Sequence, residues 1–144
     1  MRSEDWPERL SAYLARASEQ GFVWGKNDCL MFAANWMVEL CGIDPAHDLR
    51  GKYDDAASAL RTLKETGAES YEALCHRLIE SSGGRNAGPV ALHRGDLCIA
   101  VNDSVFGVML GIIADSRAAF LSDNPEMPLL LLPRRKILMG WRLE

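Results

Sequence analysis

The stretch that most constrains this chain is residues 29–41, Cys-Leu-Met-Phe-Ala-Ala-Asn-Trp-Met-Val-Glu-Leu-Cys. At helical spacing, one face carries Cys29, Phe32, Ala33, Trp36, Met37 and Leu40. A second stripe carries Leu30, Met31, Ala34, Val38 and Cys41, and only Asn35 and Glu39 are polar. A helix apolar on nearly every side belongs in a core, with other elements packed around it. Its ends are marked: Asn27 or Asp28 is an N-cap, and Gly42 is a C′ stop. Cys29 then falls in the first turn, where free backbone N–H groups and the helix dipole favour a thiolate. A cysteine nucleophile is built in such a setting, with Asp28 beside it in support. The same position equally suits a small buried hydrophobe, which most cysteines are.

At 144 residues the chain is expected to be one domain, 1–144. Its net charge is −4 and its only basic run is Arg134-Arg135-Lys136, which argues against a nucleic-acid partner. No apolar run reaches membrane-spanning length, so no membrane insertion is expected. Residues 1–8 are charged and lack a signal-peptide core, so no signal peptide is expected either. The four cysteines (Cys29, Cys41, Cys75 and Cys98) form no CxxC pair. Reduced thiols are expected, with no metal site and no cofactor.

Asp5-Trp6-Pro7-Glu8 reads as a helix start, with Asp5 as cap and Glu8 at the capping-box position. Leu10, Tyr13, Leu14 and Ala17 mark its inner face. Phe22-Val23-Trp24 is short and extended. After the central helix, residues 43–53 read as a loop from their Gly and Pro content. Asp54 or Asp55 caps a third helix with Ala57, Leu60 and Leu63 inward, and Ser70 caps a fourth with Tyr71, Leu74, Cys75, Leu78 and Ile79 apolar. The pattern changes at Pro89 to short apolar runs: 90–92, 97–101, 105–113, 118–121, 129–132 and 137–143, with a hairpin turn signal at Asn102-Asp103-Ser104. Mainly helices over 1–88 and mainly strands over 89–144 indicate an α+β fold, with the central helix lying across an antiparallel sheet. The run 129–132, flanked by Pro128 and Pro133, reads either as an edge strand or as an inner strand capped by prolines.

Trp24-Gly25, then Asp28-Cys29 with Phe32, then Arg94-Gly95-Asp96-Leu97 together resemble the NlpC/P60 branch of the papain-like cysteine peptidases. Nearer still is a resemblance to small phage and prophage tail-assembly proteins described as NlpC/P60-like, and it covers almost the full chain. Its pieces are Trp6-Pro7-Glu8-Arg9, Phe22 to Cys29, Asp44-Pro45-Ala46 leading to Arg50-Gly51-Lys52-Tyr53, Arg94-Gly95-Asp96, Gly107 to Gly111, and Trp141-Arg142. The resemblance implies an NlpC/P60-like fold and other phage tail proteins, of the tip or hub, as partners. It implies residence in the virion tail, or in the bacterial host cytoplasm during assembly. Virus, prophage and gene-transfer particle are equally compatible with it.

A cysteine hydrolase needs a base within hydrogen-bond reach of the thiol and a third group to orient that base. The resemblance puts the base, a His, at Val105, and the third residue near Ala119 or Phe120; all three are apolar here, and Leu30 replaces the usual Ser after the nucleophile. His93 would lie about 20 Å away at the far end of a strand. His47 follows the opposite end of a helix about 18 Å long. His76 reads as a surface residue of the fourth helix, and neither Asn102 nor Asp103 is a strong base for a thiol. Two readings follow: a tail-tip or assembly component on a peptidase-like fold with a degenerate site, or an active hydrolase of peptidoglycan using Cys29 and a base from elsewhere. For binding, Trp24 and the loop residues Arg50 and Tyr53 are the candidates. Arg50 and Tyr53 are expected at the surface, and Arg and Tyr are favoured interface anchors. The isolated chain is expected to be a monomer or weak oligomer.

Overall fold

The computed structural model describes residues 2, 4–103 and 106–143. Among them are four α-helices and six strands: α1 (Trp6–Gln20), α2 (Cys29–Cys41), α3 (Ala56–Glu65), α4 (Tyr71–Ser81), β1 (Arg85–Ala87), β2 (Leu97–Val101), β3 (Val108–Ile113), β4 (Arg117–Leu121), β5 (Leu129–Pro133) and β6 (Ile137–Arg142). All strands join one sheet in the order β1-β6-β2-β3-β4-β5, and every pairing is antiparallel. The fold is therefore α+β, with the helices on one face of the sheet.

The all-round apolar pattern of α2 has the expected consequence. Eight of its residues are buried, more than in any other described helix, and it packs on β3 and β4. Phe32 and Trp36 are completely buried; Phe32 stacks on Tyr13 of α1 and Trp36 lies tilted against it, each at 5.7 Å between centroids. The Trp36 indole donates to the Gly95 carbonyl at 2.9 Å, so the helix is bolted to the turn that opens β2. Buried indoles need such a partner. Gly42 ends α2 in the left-handed conformation at φ 75°.

The opposite face of the sheet holds a second, smaller apolar cluster of Cys98, Ala100, Met109, Ile113, Ala118 and Phe120, closed over by Leu92 and Ile137. Arg134 reaches across this face to the carbonyls of Asp115 and Leu92. The two ends of the chain meet at Asp96, which is fully buried. Its carboxylate takes an ion pair from Arg2 at 2.6 Å and backbone N–H bonds from His93 at 2.8 Å and Leu143 at 3.1 Å.

Several local expectations change. Asp5 occupies the N-cap position of α1 but makes no side-chain cap bond; it pairs with Arg9 at 3.2 Å instead. In α3 the inward residue of the first turns is Ala59, and Ala57 is exposed. Asp55 does cap that helix, in a reciprocal box with Ser58. Residues 89–91 form a 3₁₀ turn rather than a strand, and the first strand is the polar Arg85–Ala87. No helix among the described residues is long and apolar enough to cross a membrane.

Candidate functional site

The site is built where α1, α2 and the loop before α3 converge. Val23 and Asn27 exchange two backbone hydrogen bonds, each 2.8 Å, and so fold Trp24-Gly25-Lys26 into a tight turn. Gly25 sits at φ 79°, and a Cβ there would lie 2.4 Å from the Tyr53 carbonyl oxygen. Only glycine fits both the conformation and the approach. Its N–H donates to Asp28 Oδ2 at 2.8 Å, and its carbonyl accepts from Gly51 N at 3.1 Å. The loop Asp44–Tyr53 is thereby drawn down over the start of α2.

Asp28 is buried and acts as the N-cap. Its Oδ1 accepts from Leu30 N at 3.0 Å and Met31 N at 2.9 Å. These backbone donors of its own turn and helix are what an N-cap carboxylate requires, and the Tyr53 hydroxyl also faces the carboxylate. Asn27, also buried, donates to the Gly21 carbonyl at 2.6 Å and ties the end of α1 to the same corner.

Cys29 is the first residue of α2 and half-buried. Its sulfur lies 3.3 Å from the Tyr71 hydroxyl of α4. Tyr71 is itself buried and stacks on Phe106 at 4.6 Å. Although the residue reaches the surface, protein is packed closely around the sulfur. That desolvation, followed by the Asp28 carboxylate, pushes the thiol up to about 12; the Tyr71 hydroxyl and the helix-start N–H groups lower it too little to compensate. The expected lowering by the helix N-terminus is present, but burial outweighs it.

Trp24 is half-buried, edge-on to Phe22 at 4.9 Å and to Tyr53 at 6.2 Å. Tyr53, expected at the surface, is buried against Trp24, and burial together with Asp28 pushes its hydroxyl far above the usual phenol range. It is a wall of the site and not an exposed anchor. Arg50 is half-buried and clasps Asp44 with two hydrogen bonds, 2.6 and 3.1 Å, which hold the loop's bend. The structure thus brings Trp24, Asp28, Cys29 and Tyr53 together and leaves Arg50 on the outer side of the loop as a brace.

Two spaces open on Cys29. A cavity of about 20 Å³ lies between Cys29, Asp28, Tyr53 and Tyr71, the size of a single water. A cleft of about 450 Å³ runs outward past Phe22, Trp24, Asn102, Asp103 and Asp123. No histidine lines either one. His76 packs edge-on against Trp141 at 5.0 Å and lies 3.6 Å from Glu80; His93 lies 3.3 Å from Arg142; His47 sits exposed in a 3₁₀ turn. Ala119 and Phe120 are buried in β4. Val105, the position where the base was expected, lies outside the described residues. Among the described residues no group of His, Cys, Asp and Glu is arranged to hold a metal ion.

Tyr71 and Phe106 are the site residues that the sequence did not announce. Tyr71 reads as one more apolar residue of α4, and nothing in a single sequence links position 71 to position 29.

Over residues 1–143 the chain matches the family described as Domain of unknown function (DUF6950), and it belongs to that family. No curated protein matches it.

Proposed function

We propose that this DUF6950 member is a phage or prophage tail component, of the tail tip or its assembly, on an NlpC/P60-like fold whose catalytic site is degenerate. The observation that carries the loss of catalysis is the partner of Cys29: a phenol, Tyr71, stands against the sulfur, and no imidazole lines the space around it. Burial and the Asp28 carboxylate push the Cys29 thiol up to about 12, whereas pairing with a His lowers a nucleophilic thiol to ~3–4. Asp28, the other candidate, is occupied with capping and opposes ionisation of its neighbour. The tail assignment rests on the resemblance of the ordered motifs from Trp6 to Arg142. Its partners would be other tail proteins, and its place the virion tail or the host cytoplasm during assembly.

One observation favours the alternative, a cysteine hydrolase acting on peptidoglycan stem peptides. The cleft of about 450 Å³ opens directly on Cys29 and carries polar groups from Asn102 and Asp103. The deciding experiment compares wild type with Cys29→Ala in two assays. In the first, the chain is co-expressed with the tail proteins encoded beside it, and particles are purified and tested for infectivity. In the second, purified sacculi are incubated with the isolated protein and soluble peptides are counted. The tail-component reading expects co-purification with tail proteins, equal infectivity for both forms, and no peptide release. Release of stem peptides by wild type and not by Cys29→Ala, or intact but non-infectious Cys29→Ala particles, would establish the hydrolase. Failure to enter particles at all would remove the tail assignment.

A further inference from the structure

The sheet is split between β3 and β4, and the split opens into the cleft on Cys29. β3 pairs with β2 from Val108 to Ile112, and β4 pairs with β5 from Arg117 to Leu121. Between β3 and β4, however, only Ile112–Ala119 and Ile113–Ala118 are in register. Gly111 is the pivot: a Cβ there would lie 2.4 Å from the Ala119 carbonyl oxygen, so the missing side chain is what lets the two strands close at that point. Beyond it they part, and Met109 stands on one side of the cleft with Leu121, Ser122 and Leu130 on the other.

Strand register identifies the main-chain groups that the split leaves open. Ile113 N donates to the Asp96 carbonyl at 2.8 Å, so Ile113, Gly111 and Met109 turn toward β2, and Leu110 and Val108 turn toward β4. Ala114 N donates to the Arg117 carbonyl at 2.9 Å, so Arg117, Ala119 and Leu121 turn toward β3. The groups of Leu110 and Leu121 therefore face the gap, where the ladder gives them no partner, and both residues are buried. Buried main-chain groups are nearly always paired. Two strand edges facing one slot are a surface to which an extended peptide adds itself as a strand. Charge narrows the occupant further. The cleft is lined by Asp103 and Asp123 and by no Lys, Arg or His. Both carboxylates are exposed, and neither has an ion-pair partner among the described residues. A second hollow of about 330 Å³ shares Phe22, Ser122 and Asp123 with the cleft and adds Glu19, so acidic lining runs through both spaces.

We infer that the split receives an extended, basic segment of another protein, seated as an added strand between β3 and β4, with apolar side chains toward Met109 and Leu121 and Lys or Arg toward Asp103 and Asp123. This rests on the sheet and not on the tail assignment, and it asks no chemistry of Cys29.

Fluorescence anisotropy tests it with labelled peptides of alternating Lys and Val, of alternating Glu and Val, and the Lys peptide N-methylated at every second residue in either phase. The Lys peptide is expected to bind wild type saturably and to slow alkylation of Cys29, whose sulfur opens on the same cleft. The Glu peptide should bind at least tenfold more weakly, and so should at least one N-methylated peptide, because methylation removes the N–H groups that a strand offers to one neighbour. Asp103→Asn with Asp123→Asn should weaken the Lys peptide at least tenfold. Circular dichroism melts keep folding separate, since both substituted side chains are exposed. Absence of saturable binding by the Lys peptide overturns the inference, as does a Glu peptide that binds equally well. Indifference to N-methylation in both phases overturns it too, since the ligand is then not held as a strand. So does binding that leaves Cys29 alkylation unchanged, or competition by N-acetyl-lysine amide as strong as by the peptide, which would mark a site for a small cation.

Discussion

Cys29 shows how two effects of opposite sign are decided by packing. A helix start offers a thiolate modest favour, about 0.3–1 kcal/mol when exposed. Desolvation of a packed sulfur is worth several times that, and Asp28 adds its own repulsion. Alkylation by iodoacetamide, titrated against pH, should therefore give an apparent value above the free thiol's ~8.5. A value below 7 would contradict the reading of the site. Linkage fixes the sign for stability. The thiol is raised in the folded state, so its contribution is complete below ~8.5 and is lost as pH rises from there toward 12. Between pH 8 and 10, unfolding midpoints in urea should fall more steeply for wild type than for Cys29→Ala. Asp44 works in the acid range with the opposite sign. Burial raises its carboxyl, but the bonds from Arg50 and from Ala46 N outweigh that and hold it below the ordinary 3.8. Its contribution is present above that value and fades as pH drops through it. Because the pair is partly exposed, the amount is small, about 0.2–1 kcal/mol. Arg50→Ala should lower stability at pH 6 by this much and by less at pH 2.5; an equal loss at both would show that Arg50 acts by packing alone.

At the level of elements, α2 carries the fold, and its energetics follow from Trp36. Removing that side chain empties a fully buried site, so Trp36→Ala should cost about 3–5 kcal/mol in chemical denaturation. Trp36→Phe keeps much of the volume but leaves the Gly95 carbonyl without its indole partner, about 1–3 kcal/mol. Cys29→Ala, at a half-buried position, should cost less than either. Should it prove the costliest of the three, α2 does not organise the core. This helix was legible because pattern and punctuation agree: an Asp cap, continuous apolar residues and a Gly stop all lie within the stretch Asp28 to Gly42. The sheet was legible from Leu97 onward for the same reason. β1 was not, because Arg85-Asn86-Ala87 has no apolar alternation; it is a strand only because β6 offers it a ladder. Residues 90–92 misled in the reverse direction: Val90 is almost wholly exposed, and Pro89 starts a 3₁₀ turn there. In the candidate site, Asp28 and Cys29 could be read from their own helix. The burial of Tyr53 and the reach of Tyr71 could not, since both depend on how a loop and a distant helix settle on α2. Local composition says nothing of that.

Across the whole molecule, one carboxylate closes the structure. Asp96 joins Arg2 near one end of the chain to Leu143 near the other, and it also shapes the turn through His93 N. Its side chain has no exposed surface and that of Arg2 only 7%, so neither charge can be left to water. Breaking a buried pair by removing one partner usually costs about 3–5 kcal/mol, because the other charge stays behind uncompensated. Arg142 Nε stands 3.9 Å from the same carboxylate. It lies too far away to replace a 2.6 Å bond without moving. Arg2→Ala should therefore lower stability by about 3 kcal/mol, with a drop of roughly 10 °C in the thermal midpoint for a chain of this size. Asp96→Ala should cost more, since it also strands the N–H groups of His93 and Leu143 in the interior. In the double variant the two losses should fall well short of adding, because the charge stranded by either single change is gone. Urea denaturation of the four proteins measures the coupling. Simple additivity would mean that Arg2 and Asp96 stabilise the ends separately, and that the ion pair does not link them.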